Sequence, residues 1–268
     1  MDLELTGKRA LVTGSSSGIG AAVAQRLAAE GARVVVHGRS ADRAGRIADE
    51  ITRAGGTAFV VVGDLSTNEG TDAVAKAVKA ELGGLDILVN NAGGSEDPSR
   101  TWATTTWDHF LEDFEVNTGS AFRMVQHFLA GMKEQRWGRI FQFTSTGATM
   151  PFAHTTPAYN AVKAGLITMT VSLSKTVARH GITVNCITPG SVDTPAYRKF
   201  VTKLPPFVGM PIEEIEKALV KRWQIPVGRM GQPEELACAV AFLASPLASF
   251  ITGANLRIDG GMSGFINA

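Results

Sequence analysis

Short β-branched runs alternate with longer helical patterns along almost the whole chain, and this alternation limits the fold more than any other feature. Arg9–Thr13, Arg33–His37, Thr57–Val62, Leu85–Val89, Arg139–Thr144, Ile182–Thr188 and Asn255–Ile258 read as strands. Gly18–Glu30, Asp42–Ala54, Thr71–Leu82, a long stretch from about Thr106 to Gln135, Pro157–His180 and Pro233–Ala244 read as helices. Continuous apolar strands are buried on both faces, so strands and helices in alternation form a parallel sheet covered on each side. Right-handed crossovers then give an α/β fold with a three-layer, doubly wound parallel sheet.

A chain of 268 residues suffices for one large domain, and no linker, repeat or low-complexity segment divides 1–268. The least regular part is 195–226, which carries five prolines and interrupts the sheet before its last strand. A long irregular insertion of this kind is commonly a lid or substrate loop. Its apolar side chains (Phe200, Val201, Leu204, Phe207, Val208, Met210, Ile212) can cover a substrate; an oligomer contact or ordinary core explains them equally well.

Hydrophobic content of 44% with 19% charged residues suits a globular enzyme rather than a disordered chain. A formal net charge of +1 supplies no field to recruit nucleic acid or an anionic membrane. No apolar run reaches a membrane span, and MDLELTGKRALVTG lacks the basic flank and apolar core of a signal peptide, so a cytoplasmic protein is expected. Cys186 lies in an apolar strand pattern and Cys238 in an alanine-rich helix pattern; both read as packed free thiols. The five histidines show no paired-ligand spacing, so no catalytic metal is expected.

Thr13-Gly14-Ser15-Ser16-Ser17-Gly18-Ile19-Gly20 joins the first strand to the first helix. Glycines there permit a tight turn and a close backbone approach to a pyrophosphate, while the helix N-terminus offers free N–H groups. The spacing is GxxxGxG rather than the commoner GxGxxG, so location strengthens what spacing alone leaves moderate. The second strand ends at His37-Gly38-Arg39-Ser40. A carboxylate at that point would hold the adenosine ribose hydroxyls and disfavour a 2′-phosphate. Gly38 offers none, and Arg39 can meet a phosphate with its planar fork, assisted by Ser40 and Arg43. The missing acid favours NADP over NAD, although a solvated loop arginine is the ordinary fate of such a residue.

Tyr159 and Lys163 stand four apart near a helix start that Thr156 can cap and Pro157 suits. They therefore share a helix face. An ammonium beside a phenol favours phenolate, so Lys163 is expected to pull Tyr159 below its ordinary pKa of about 10 and make it a usable acid/base. An exposed Tyr/Lys pair is the alternative. Tyr197 is the only other tyrosine.

Taken in order, these pieces resemble the short-chain dehydrogenases/reductases, a family with the Rossmann fold, and among them the 3-oxoacyl-carrier-protein reductases. TGSSSGIG at 13–20 resembles the family's TGxxxGxG loop, Asn90-Asn91-Ala92-Gly93 its NNAG segment, and Tyr159 with Lys163 its YxxxK pair. Asn117 and Ser145 match the helix asparagine and strand-end serine of the catalytic set. Pro189-Gly190-Ser191-Val192-Asp193-Thr194 is similar to the PGxxxT segment, and Ile258-Asp259-Gly260-Gly261 to the family's ending. The resemblance implies that Gly14, Ser16, Ser17, Gly18, Ile19 and Gly20 hold cofactor phosphates and that Asp64 and Leu65 flank the adenine. It implies that Asn90, Ala92 and Gly93 line the path to the nicotinamide ribose, and that Pro189, Gly190, Val192 and Thr194 lie near the nicotinamide.

Two departures stand out. Many NADP-using relatives carry a basic residue where this chain has Ser17, and the interval from Ser145 to Tyr159 is one longer than the common pattern. The implied reaction is hydride transfer between NADPH and a small-molecule carbonyl or alcohol, with NAD as the alternative cofactor. Tyr159 gives a proton to the forming alkoxide, Ser145 hydrogen-bonds the same oxygen, and Lys163 holds the ribose. Asn117 either holds a water that links Lys163 to solvent or kinks its helix. An acyl carrier protein is a conceivable partner, met by Arg198, Lys199 and Lys203, although a solvated face explains them too. The family implies a homodimer or homotetramer. Other classes of reading, a catalytically silent nucleotide-binding regulator or a purely structural subunit, are disfavoured by the intact Asn117, Ser145, Tyr159 and Lys163.

Overall fold

The apolar runs become seven strands that pair in parallel throughout. They are β1 (Arg9–Val12), β2 (Arg33–Gly38), β3 (Thr57–Val62), β4 (Ile87–Asn90), β5 (Gly138–Phe143), β6 (Ile182–Pro189) and β7 (Asn255–Ile258). A computed structural model describes residues 1–94, 97, 99–151 and 157–264. The spatial order is β3-β2-β1-β4-β5-β6-β7. Strand order reverses between β1 and β4, so a crevice opens beyond their carboxyl ends, where α/β folds place ligands.

Successive side chains of each central strand enter opposite cores. Val12, Val34, Val36, Val89 and Phe141 pack on one face with α1 (Gly18–Ala29) and α9 (Pro233–Ala244). Leu11, Val35, Leu88, Ile140 and Val184 pack on the other with α3 (Asn68–Leu82) and α5 (Ser120–Glu134). Burial on both faces explains why these strands read as unbroken apolar runs. The remaining long helices are α2 (Ala41–Arg53), α4 (Trp107–Phe114) and α6 (Pro157–Val177). Among the described residues, no helix is long and apolar enough to cross a membrane.

The structure departs from the sequence reading in three places. The expected helix over 106–135 is α4 and α5 joined by a π-helical turn at Glu115–Gly119. The segment 195–226 is not irregular: it holds α7 (Pro195–Val201) and α8 (Ile212–Arg222). Its prolines punctuate helices rather than preclude them. Pro195 opens α7, whose first turn Thr194 caps by accepting from the Tyr197 N–H at 3.1 Å. Pro205 and Pro206 form a short 3₁₀ turn, and Pro211 precedes α8. Third, Cys238 is exposed rather than packed, because it lies on the outer face of α9; Cys186 is buried as expected. Pro157 opens α6, whereas Thr156 lies outside the described residues.

Candidate active site

The glycine loop is built by backbone contacts at the end of β1. Gly14 and Gly18 take positive φ values of 66° and 57°, which side chains adopt at a cost. Gly20 lies so close to the loop that a Cβ there would stand 2.6 Å from the Gly14 carbonyl oxygen. The Gly14 N–H donates to Nδ1 of buried His37 at 3.2 Å, and burial holds that imidazole neutral, its pKa lowered to about 4. Asn91 clamps the loop from β4: its Nδ2 donates to the carbonyls of Thr13 at 2.9 Å and Gly14 at 3.2 Å. Thr13 completes the clamp, its hydroxyl accepting from the N–H groups of Asn91 and Ala92 at 3.0 Å each. The sequence reading assigned no role to Asn91 or Thr13; both sit inside quoted motifs, and the signal was their adjacency across β1 and β4.

Ser17, at the start of α1, makes no side-chain cap, so the first-turn N–H groups of that helix face the crevice uncapped. Around this point lies a cavity of about 410 Å³. Its lining brings together Gly14, Ser17, Gly18, Ile19, Gly20, Ala92, Gly93, Ser145, Tyr159, Lys163, Pro189, Gly190, Val192 and Thr194. Ser16, Arg39, Ser40, Asp64, Leu65, Asn90 and Asn117 lie outside that lining. Ser16 packs against Gly38, where a Cβ would come within 2.7 Å of its Oγ. Ser40 caps α2 by accepting from the Arg43 N–H at 3.4 Å. Arg39 is exposed and close enough to Asp64 to help hold that carboxyl below its usual range, after the hydrogen bonds from Ser66. Asn90 is buried in β4, level with Gln142 of β5.

The catalytic candidates meet at the ends of β5 and α6. Ser145 follows β5 in extended backbone, and its hydroxyl hydrogen-bonds the half-buried Tyr159 phenol. Lys163, one turn along α6, is buried and donates from Nζ to the Phe143 carbonyl at 2.8 Å; Nζ lies 5.8 Å from the Tyr159 ring centroid. Asn117 sits in the π-helical turn. Its Oδ1 accepts from the Gly94 N–H at 2.9 Å, and its Nδ2 donates to the carbonyls of Gly94 at 3.1 Å and Asp113 at 2.8 Å. Asn117 thus fastens the segment after β4 to the π-helical turn.

Electrostatics reverse one expectation. Tyr159 is pushed up to about 12, not down: burial dominates, the Ser145 hydrogen bond offsets it in part, and the Asp113 charge adds to it. Lys163 does not counter this because its ammonium points at a carbonyl and is itself penalised by burial, down to about 8. The phenol is therefore protonated across the neutral range, fit to donate a proton.

The chain is similar to known reductases over nearly its whole length. Residues 14–263 match a family model described as enoyl-(acyl carrier protein) reductase. A 3-oxoacyl-(acyl-carrier-protein) reductase of Vibrio cholerae is 39% identical over 97% of this chain and 99% of that protein. One from Aquifex aeolicus is 37% identical over 98% and 100%. Among solved structures, L-sorbose reductase from Gluconobacter frateurii, complexed with NADPH and L-sorbose, superimposes with a TM-score of 0.93. It is 35% identical, over 99% of this chain and 100% of that one. An actinorhodin polyketide ketoreductase with NADPH gives a TM-score of 0.90 at 34% identity, over 97% and 98%. The chain belongs to the short-chain dehydrogenase/reductase family.

Proposed function

We propose that this protein is an NADP-dependent oxidoreductase that moves a hydride between the nicotinamide and a carbonyl or secondary alcohol carbon of a small molecule. The observation that carries this is the Ser145–Tyr159 hydroxyl pair, backed by Lys163 and sharing one cavity with the glycine loop. The relatives named above as reductases, two of them with NADPH, support the same reading.

The residues present fit the dinucleotide. The uncapped first turn of α1 suits a pyrophosphate, and no side chain on Gly14, Gly18 or Gly20 obstructs it. Ser16, Ser17 and Ile19 flank that point. Arg39, with Ser40 beside it, would hold the 2′-phosphate; Asp64 and Leu65 the adenine; Asn90, Ala92 and Gly93 the path to the ribose; Pro189, Gly190, Val192 and Thr194 the nicotinamide. When bound, the cofactor supplies or accepts the hydride. Tyr159, protonated at neutral pH, donates to the carbonyl oxygen as it becomes an alkoxide, and Ser145 donates to the same oxygen. Both bonds strengthen as negative charge develops, so they lower the barrier rather than merely bind. Lys163 would hold ribose hydroxyls, and Asn117 fastens the Gly94 segment after β4.

Replacing Tyr159 with Phe tests the reading. Turnover of ketones by NADPH falls by about 10³-fold, the scale of a lost general acid, while cofactor binding followed by fluorescence is retained. Near-normal turnover would sink the assignment.

A further inference from the structure

The chain has two tyrosines, Tyr159 and Tyr197, and both line the same cavity. The mechanism uses only the first. Tyr197 reaches the cavity from α7, and its hydroxyl lies 3.0 Å from the hydroxyl of Ser191 in the loop after β6. The Trp223 indole, which can only donate, hydrogen-bonds the Tyr197 oxygen. Ser191 and Tyr197 bring two hydroxyl hydrogens to this spot. Their mutual bond uses one, and among the described residues no side chain or backbone group accepts the other. Whichever hydroxyl donates within the pair, one hydrogen is left over for an acceptor in the cavity. Around the pair the wall is apolar: Phe200, Leu204, Leu219 and Trp223.

From this geometry we infer that Ser191 and Tyr197 form a second oxygen-binding subsite, and that the substrate is a ketone carrying another acceptor oxygen and an apolar remainder. The inference rests on the carbonyl-reduction reading above and adds the substrate class to it. Ser145 and Tyr159 hold the oxygen that changes hands. Ser191 and Tyr197 donate to the oxygen that does not, and the side chains of α7 and α8 take the hydrocarbon. Such a donor discriminates strongly, because a substrate without the acceptor leaves it unpaired in a dry wall.

The test compares two substrates of equal chain length, ethyl 3-oxohexanoate and 4-nonanone, with NADPH. Intrinsic reactivity cancels when the ratio of their kcat/KM values is compared between proteins. Replacing both hydroxyls, Ser191→Ala together with Tyr197→Phe, lowers that ratio, in favour of the plain ketone, by about 10-fold, the loss of one hydrogen bond. Either change alone lowers it less, because the hydroxyl that remains keeps a hydrogen to donate. The backbone role of residue 191 survives, since its carbonyl still accepts from Gly231 at 2.9 Å, and continued reduction of 4-nonanone reports that the double variant folds. A ratio unchanged within about twofold in the double variant, with both ketones reduced by the unaltered protein, overturns the subsite alone. Reduction of neither ketone by the unaltered protein overturns the carbonyl reading and the subsite with it.

Discussion

The cavity has two sides built on different physics. On one side the glycine loop is fixed by backbone: positive φ at Gly14 and Gly18, the close approach at Gly20, and hydrogen bonds from Asn91 and Thr13 across β1 and β4. On the other side α7 and α8 are fixed by side chains. Val201, Phe207, Ile215 and Leu219 form a small core of their own, separate from the two cores that sandwich the sheet. A ligand common to a family is best held by geometry that tolerates no substitution. A ligand that differs between relatives is best met by a packing unit whose side chains can be exchanged without disturbing the sheet. On the function proposed above, the two sides divide the labour between binding the constant partner and choosing the variable one.

After loss of the Tyr159 proton donor, the largest expected effect separates catalysis from stability on the constant side. Lys163→Met lowers turnover by about 10²-fold or more, because a donor to the developing charge and to the ribose is lost. The same change stabilises the cofactor-free protein. Burial lowers the ammonium from 10.5 to about 8, a penalty of about 3 kcal/mol at pH 7, partly offset by losing the bond to Phe143. Calorimetry then records a melting temperature higher by roughly 4 °C. The sign with pH follows. Above about pH 8 the folded protein sheds this proton while the unfolded chain keeps it, so stability rises with pH. Cys186, raised from 9.0 to about 11, and Tyr159, raised from 10.0 to about 12, work the other way, since the folded state then keeps protons that the unfolded chain loses. The lysine slope outweighs the opposing cysteine slope between pH 8 and 9, and the Met variant lacks it. A variant that melts lower at pH 7 would show that Lys163 is a net structural anchor.

A smaller effect is expected at the far end of the same side. Arg39→Ala weakens NADPH binding by about 10-fold, the scale of a charge-assisted hydrogen bond, and leaves NADH within about twofold. Titration of both nucleotides checks this. Equal losses would mean that Arg39 serves Asp64, which it faces, and does not read the 2′-phosphate.

These two sides were unequally legible in the sequence. Apolar continuity at Leu85–Val89 or Ile182–Thr188 is a direct consequence of burial on both sheet faces, so the strands could be read to within about two residues. Gly14, Gly18 and Gly20 were legible because few other residues fit. The pKa of Tyr159 was not legible: the four-residue spacing to Lys163 places the pair on one face, but it does not say that the Lys163 ammonium turns to the Phe143 carbonyl and that burial outweighs attraction at both groups. A helix irregularity at Asn117 was among the readings, but its form, a π-helical turn with side-chain hydrogen bonds to Gly94 and Asp113, was not legible. The α7–α8 unit was missed for a related reason. Five prolines suggest irregular chain, yet Pro195 and Pro211 stand where helices begin and remove no hydrogen bond.

The smallest effect on global stability, and the sharpest contrast between the sides, is expected from Ile215→Ala. Ile215 is fully buried at the centre of the α7–α8 cluster. Deleting its side chain removes about 2–5 kcal/mol of local packing, an amount that would lower the melting temperature by many degrees if the cluster unfolded with the sheet. A cluster with its own core can instead open alone, and the loss then appears as sub-global unfolding. Amide hydrogen exchange in 195–222 accelerates by more than about tenfold, KM for the carbonyl substrate rises, and the melting temperature moves by less than about 2 °C. Val89→Ala, in the centre of the sheet, supplies the opposite pattern: a large drop in melting temperature with exchange raised across the fold. If Ile215→Ala behaves like Val89→Ala, α7 and α8 are cooperative with the sheet and the two sides of the cavity do not differ in kind. If it behaves as expected, the α7–α8 wall can open while the glycine loop stays formed, and cofactor affinity in that variant matches the unaltered protein.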